Sequence, residues 1–88
     1  MSIFVVFRVT NPQAVKAAIE ASFPHDHYQA DVDEWIISAN MTAKELSDTL
    51  RITGGENGSG IVFKMASYYG RAATDLWDWI KTKSEGDN

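Results

Sequence analysis

The segment Glu34-Trp35-Ile36-Ile37-Ser38-Ala39-Asn40-Met41-Thr42-Ala43-Lys44-Glu45-Leu46-Ser47-Asp48-Thr49-Leu50 changes character halfway along. Glu34 to Ala39 is rich in aromatic and β-branched side chains, which suit a pleated, half-buried surface and predict a strand. Thr42-Ala43-Lys44-Glu45 is then a capping box, with the Thr hydroxyl accepting from the amide three residues on and the Glu carboxylate returning to the Thr amide. It predicts a helix that turns Leu46, Thr49 and Leu50 inward. A strand running into a capped helix makes this an α+β chain, and the flanks decide which kind.

Before the segment, Tyr28 to Asp31 reads as a second strand joined to Glu34–Ala39 by a tight polar turn around Asp31 to Asp33. Further back, Ile3 to Val9 is β-branched and aromatic apart from Arg8, and predicts a buried first strand. Asn11 can cap a helix with Pro12 at its first position, and Val15, Ala18, Ile19, Ser22 and Phe23 recur at helical spacing before Pro24 closes it. After the segment, Thr53 to Gly60 holds four glycines in eight positions and predicts a flexible connector. A strand is predicted over Ile61 to Tyr69, broken by Gly70. A last helix, capped at Thr74 or nearby, carries Leu76, Trp77 and Ile80 as its apolar stripe, ahead of a polar tail over 84–88.

The resulting order is that of a ferredoxin-like βαββαβ sandwich, in which two helices pack on one face of a four-stranded antiparallel sheet, with an added C-terminal helix. Residues 1–83 are expected to form one domain. Alternation along the first strand is expected to turn Ile3, Val5, Phe7 and Val9 to the helices. It leaves Phe4, Val6 and Arg8 on the opposite face with Ile36, Ser38, Val62, Lys64, Ala66 and Tyr68. That face is too apolar to stand in water, and three covers are open: the C-terminal helix, a second copy of the chain, or another partner.

Composition narrows the chemistry. The 88 residues contain no cysteine, which excludes thiol nucleophiles, Fe–S ligation and disulfides, and accords with a cytoplasmic location. With 44% hydrophobic residues and three tryptophans, the chain can build a core without such staples. The longest apolar run, Ile3 to Phe7, is far below the roughly 20 residues of a membrane span. A net charge of -4 opposes general attraction to nucleic acid or anionic lipid.

Candidate chemistry is sparse. His25-Asp26-His27 puts two imidazoles on one side of an extended segment, but a metal site needs a third ligand that the sequence does not identify, and the residues read as a polar loop after Pro24. The Gly54–Gly60 stretch precedes a strand and has no following Lys-Ser or Lys-Thr, so it does not match a phosphate loop. Tyr68, Tyr69 and Arg71 lie at the predicted end of the fourth strand, where Arg71 offers a planar fork to a carboxylate or phosphate, or an ion pair to Asp75 or Asp78. Trp77 and Trp79 cannot share one helix face, which makes Trp79 a candidate anchor for a partner. Phe4, Arg8, Lys64 and Tyr68 mix rings with cations, as sheet-face RNA binders do.

The segment Glu34 to Leu50, with the element order around it, resembles the small ferredoxin-fold proteins labelled SinR-like, which are akin to CRISPR-associated endoribonuclease subunits and virulence-associated toxins. The resemblance implies a ferredoxin-like fold, frequent homodimers and, in some members, metal-dependent nuclease activity through an aspartate at the end of the first strand. Arg8-Val9-Thr10 stand there in this chain, without an acidic residue. The expectation is therefore a small acidic non-enzymatic interaction module, homodimeric, with no cofactor or metal. Its partner surface is expected to include Phe4, Arg8, Lys64, Tyr68, Tyr69, Arg71 and Trp79. An RNA- or DNA-binding protein, or a metal-dependent nuclease, is the alternative.

Overall fold

Side-chain chemistry at the element ends sets the framework of the computed structural model, which describes residues 2–67 and 74–85. Strand β1 spans Ser2–Phe7, helix α1 Pro12–Ser22, strands β2 and β3 His27–Asp31 and Glu34–Ala39, helix α2 Ala43–Thr49, strand β4 Ile61–Lys64 and helix α3 Thr74–Glu85. The result is an α+β chain with an antiparallel four-stranded sheet, in the order β2-β3-β1-β4, and three helices. Among the described residues, no helix is long and apolar enough to cross a membrane.

The caps expected at Asn11 and Thr42 are made, whereas Thr74, expected at or near the cap of the last helix, is the first residue of α3. Asn11 accepts from the Ala14 amide with Pro12 opening α1, and at α2 the Glu45 amide donates to Thr42 Oγ1 at 3.1 Å while the Thr42 amide donates to Glu45 Oε1 at 2.9 Å. The backbone and hydroxyl of Thr42 hold the Glu45 carboxyl below the usual value near 4.5. Thr42→Ala is expected to lower stability by about 1 kcal/mol, read as a shift of the urea midpoint at pH 7. A lowered carboxyl stabilises the fold fully above its unfolded value and loses that effect as pH falls through the folded one. The variant keeps the Thr42 amide and loses only the hydroxyl's share of this effect, so the gap between wild type and variant should narrow modestly below about pH 4.5.

Helix α2 ends in a Schellman motif: the Ile52 amide donates to the Ser47 carbonyl and the Arg51 amide to that of Asp48, with Arg51 at φ 60°. Glycine usually fills that left-handed position. Thr49, expected inside, is exposed and returns its hydroxyl to the Glu45 carbonyl, whereas Leu46 and Leu50 are fully buried.

Both α1 and α2 lie on the same side of the sheet. Val15 and Ile19, with Leu46 and Leu50, close over Phe4, Val6, Trp35 and Ile37 in one core. This reverses the expected facing of β1: Phe4 and Val6 meet the helices, and Ile3, Val5 and Phe7 face away. Both alternating sets of β1 are apolar, so period two alone cannot choose between them. Register to β3 makes the choice, because Phe4 sits opposite Ile37 and Val6 opposite Trp35, so these four share a face. Val9 still reaches the helix-side core, as expected, because Arg8 at φ 55° breaks the alternation just past the strand.

Helix α3 covers part of the reverse face. Ile80 is buried with Ile3 and Ile36, and Val5, Tyr28, Met65, Leu76, Trp77 and Trp79 pack around them. Of the three covers considered, the chain thus supplies one itself. Two polar ties accompany the packing: Tyr28 OH donates to Asp75 Oδ2 at 2.8 Å, and Lys83 Nζ donates to Asp26 Oδ1 at 2.7 Å. The bond to Asp75, with burial and the carboxylate's charge, raises the Tyr28 phenol above its usual value near 10.0. Helix α3 runs on to Glu85, past the start of the expected tail.

The remaining differences are local. Strand β4 ends at Lys64, and positions 65–67, expected to continue it, are not strand, although the Met65 amide still donates to the Ile3 carbonyl; the last two expected positions, Tyr68 and Tyr69, lie outside the described residues. The Thr53–Gly60 connector is a bonded turn rather than a loose one. Thr10 exchanges bonds with Ser59 through both its amide and its hydroxyl, and Asn57 Nδ2 donates to the Leu50 carbonyl.

Candidate interaction surface

β-branched and aromatic residues form β4, and its position at the end of the sheet leaves one backbone edge without a partner strand among the described residues. Its side chains alternate with the facing opposite to that expected, because the register to β1 reverses β4 along with it. Val62 and Lys64 share the helix side with their register partners Val6 and Phe4, while Ile61 and Phe63 lie on the reverse side opposite Phe7 and Val5. Helix α3 packs against β1 and β2. At the β4 end of the reverse face, Phe63 is 56% exposed and Ile61 39%. The Phe7 and Phe63 rings meet at 5.4 Å between centroids and 38° between planes, a tilted diagonal pair across β1 and β4.

The backbone at this edge is readable from one bond. The Met65 amide donates to the Ile3 carbonyl at 2.7 Å, and antiparallel ladders alternate, so Phe63 and Ile61 also turn their N–H and C=O groups to β1. Those of Val62 and Lys64 therefore point outward. The surface combines an apolar cluster of Phe7, Ile61 and Phe63 with outward-facing donors and acceptors, which is the chemistry by which an exposed sheet edge takes up an added strand.

The residues singled out from the sequence do not gather in one place. Phe4 is fully buried beneath α1 and α2, so it lines no surface, and Lys64 is exposed on the same helix side. Arg8 is exposed beyond β1, held in a left-handed conformation. Trp79 is half-buried on α3, its ring 6.2 Å from that of Tyr28 with Lys83 Nζ 6.0 Å from its centroid. Tyr68, Tyr69 and Arg71 lie outside the described residues; Asp75, one ion partner considered for Arg71, accepts from Tyr28. Phe7, Ile61 and Phe63 carry the surface, although the sequence did not single them out. The available signal was the Ile61/Phe63 alternation, which becomes a surface only once β4 is known to be an edge.

The His25–His27 segment is engaged structurally. His27 Nδ1 donates to the Phe23 carbonyl at 2.6 Å, which takes that nitrogen out of ligation, while Asp26 and the His25 carbonyl accept from Lys83. No group of three or more His, Cys, Asp or Glu side chains able to hold a metal ion occurs among the described residues. Compared with known proteins, the chain matches no family model and no curated sequence.

Proposed function

We propose that this chain is a small acidic, non-enzymatic interaction module that offers the β4 edge and the Phe7/Ile61/Phe63 cluster to a protein partner. The observation that carries the reading is Phe63, an aromatic side chain 56% exposed on an open edge strand, where burial in an interface removes it from water. Several polar side chains are occupied in holding the fold, as the Asp26–Lys83, Lys44–Asp48 and Tyr28–Asp75 pairs illustrate. We read the fold as ferredoxin-like with α3 added. The order β2-β3-β1-β4, with α1 and α2 together on one face, supports that reading. So does the resemblance of Glu34–Leu50 to the SinR-like group, where homodimers are frequent. Nucleic-acid binding is less well supported, since buried Phe4 offers no ring for stacking and the net charge is -4.

Site-specific photo-crosslinking in the source cell tests the interaction reading. A benzophenone side chain in place of Phe63 is expected to form a protein adduct, and the same group in place of Val32, which is 68% exposed on the β2–β3 turn, is not. No adduct at position 63, or an adduct to nucleic acid alone, would overturn the reading.

A further inference from the structure

We infer that Asn57 is a site of spontaneous modification, where the Gly58 nitrogen displaces the side-chain amide as ammonia, and that the closed turn over 53–60 holds this reaction in check until it opens.

The reactive pairing comes from the sequence. Asparagine occurs at positions 11, 40, 57 and 88, and Asn57 is the one followed by glycine. Attack of the next backbone nitrogen on an asparagine Cγ closes a five-membered ring, and a side chain on that next residue crowds the approach. Glycine leaves the approach open, whereas Pro12 after Asn11 has no N–H to lose. The fold requires glycine at position 58 for a separate reason. Its φ is +85°, and a Cβ there would lie 2.6 Å from Thr10 Oγ1. Closing the turn against Thr10 thus demands the residue that exposes Asn57 to attack.

The closed turn supplies the restraint. The Gly58 amide donates to the Gly55 carbonyl at 3.1 Å, which occupies the proton that must leave before the nitrogen can attack. The Asn57 amide donates to the Arg51 carbonyl and Nδ2 to the Leu50 carbonyl, both at 2.9 Å, so backbone and side chain are held on either side of Cγ. Thr10 fastens the turn through its two bonds to Ser59. At ordinary net strength each bond is worth about a factor of five, so breaking the three at Asn57 and Gly58 predicts a slowing of roughly 100-fold.

The step balances with water alone. The Gly58 proton passes to a solvent base, the N–Cγ bond forms, and the Cγ–Nδ2 bond breaks as Nδ2 takes a proton and leaves as ammonia. One water then opens the ring. Opening at Cγ gives aspartate, and opening at the backbone carbonyl gives isoaspartate, whose chain runs through Cγ. Neither product fits the closed turn. A carboxylate has no proton for the Leu50 carbonyl at the end of α2, and sets acceptor against acceptor. Isoaspartate also adds a carbon to the backbone between the bond at Arg51 and those at Thr10. Conversion is therefore one-way and leaves the connector into β4 loosened.

Incubation of the full chain at mildly alkaline pH, with and without urea, tests the inference. Conversion is followed by mass spectrometry of the tryptic peptide Ile52–Lys64, in which the only asparagine is Asn57. Wild type is expected to convert roughly 100-fold more slowly folded than in urea. Thr10→Ala removes the hydroxyl that accepts from the Ser59 amide, and should speed conversion of the folded chain about fivefold without changing the rate in urea. Asn57→Asp, which reproduces one product, should melt several degrees below wild type. Equal wild-type rates with and without urea, a natively folded Thr10→Ala chain that converts at the wild-type rate, or an Asn57→Asp chain that melts with wild type would each overturn the inference.

Discussion

Ile80→Asp should release α3 from the sheet while leaving α1 and α2 in place. Ile80 is 4% exposed and lies with Ile3 and Ile36 in a cluster separate from the core under α1 and α2. Trimming such a residue to Ala costs about 2–5 kcal/mol, and a carboxylate there adds the penalty of an unpaired charge in an apolar site. The polar ties cannot make up the loss, since Tyr28–Asp75 and Lys83–Asp26 lie at the exposed or half-buried rim, where such pairs contribute about 1 kcal/mol or less. Trp77 and Trp79 both lie on α3, so the expected readout is a red shift of tryptophan emission together with binding of a hydrophobic dye. Hydrogen-exchange protection should persist in α2. Global unfolding at 25 °C, with protection lost in α2 as well, would show that the two clusters are one cooperative unit.

Gly58→Ala should cost about 2–3 kcal/mol, combining two separable penalties. Gly58 has φ +85°, and a Cβ there would lie 2.6 Å from Thr10 Oγ1 and 3.2 Å from Asn11 Cβ. Gly55 supplies the control: its φ is +79°, but a Cβ would meet nothing within 4 Å. Gly55→Ala should therefore carry the left-handed backbone term alone, about 1 kcal/mol. At roughly 4–8 °C per kcal/mol for a domain of this size, the two melting temperatures should differ by several degrees. Thr10→Gly, which removes the obstructing hydroxyl, should bring the Gly58→Ala penalty closer to that of Gly55→Ala. Equal losses at the two glycines would mean that the Thr10–Ser59 pairing yields without resistance.

These two sites also show where local chemistry stops being informative. Four glycines between Thr53 and Gly60 read as a flexible connector. The turn is instead tied to Thr10, 49 positions away from Ser59, by bonds that no local pattern announces. The α3 stripe of Leu76, Trp77 and Ile80 was legible from helical spacing, and the apolar reverse face from strand composition, yet nothing in either stretch says that one covers the other. The candidate surface lies further still from local reach. Ile61 and Phe63 look like ordinary strand residues until β4 is found at the sheet edge, and Phe7 joins them through cross-strand register.

The Thr42–Glu45 cap, the Asn11-Pro12 start of α1, the Glu34–Ala39 strand and the tight turn before it are properties of neighbouring residues, whose side chains reach their own backbone within three or four positions. Order along the chain follows from them. The facing of β1 does not, because Ile3, Val5 and Phe7 are as apolar as Phe4 and Val6, and burial of either set removes similar surface from water. That choice, the early end of β4 and the uncovered Phe63 came with the pairing of β1 to β3 and β4, contacts between residues 29 to 60 positions apart.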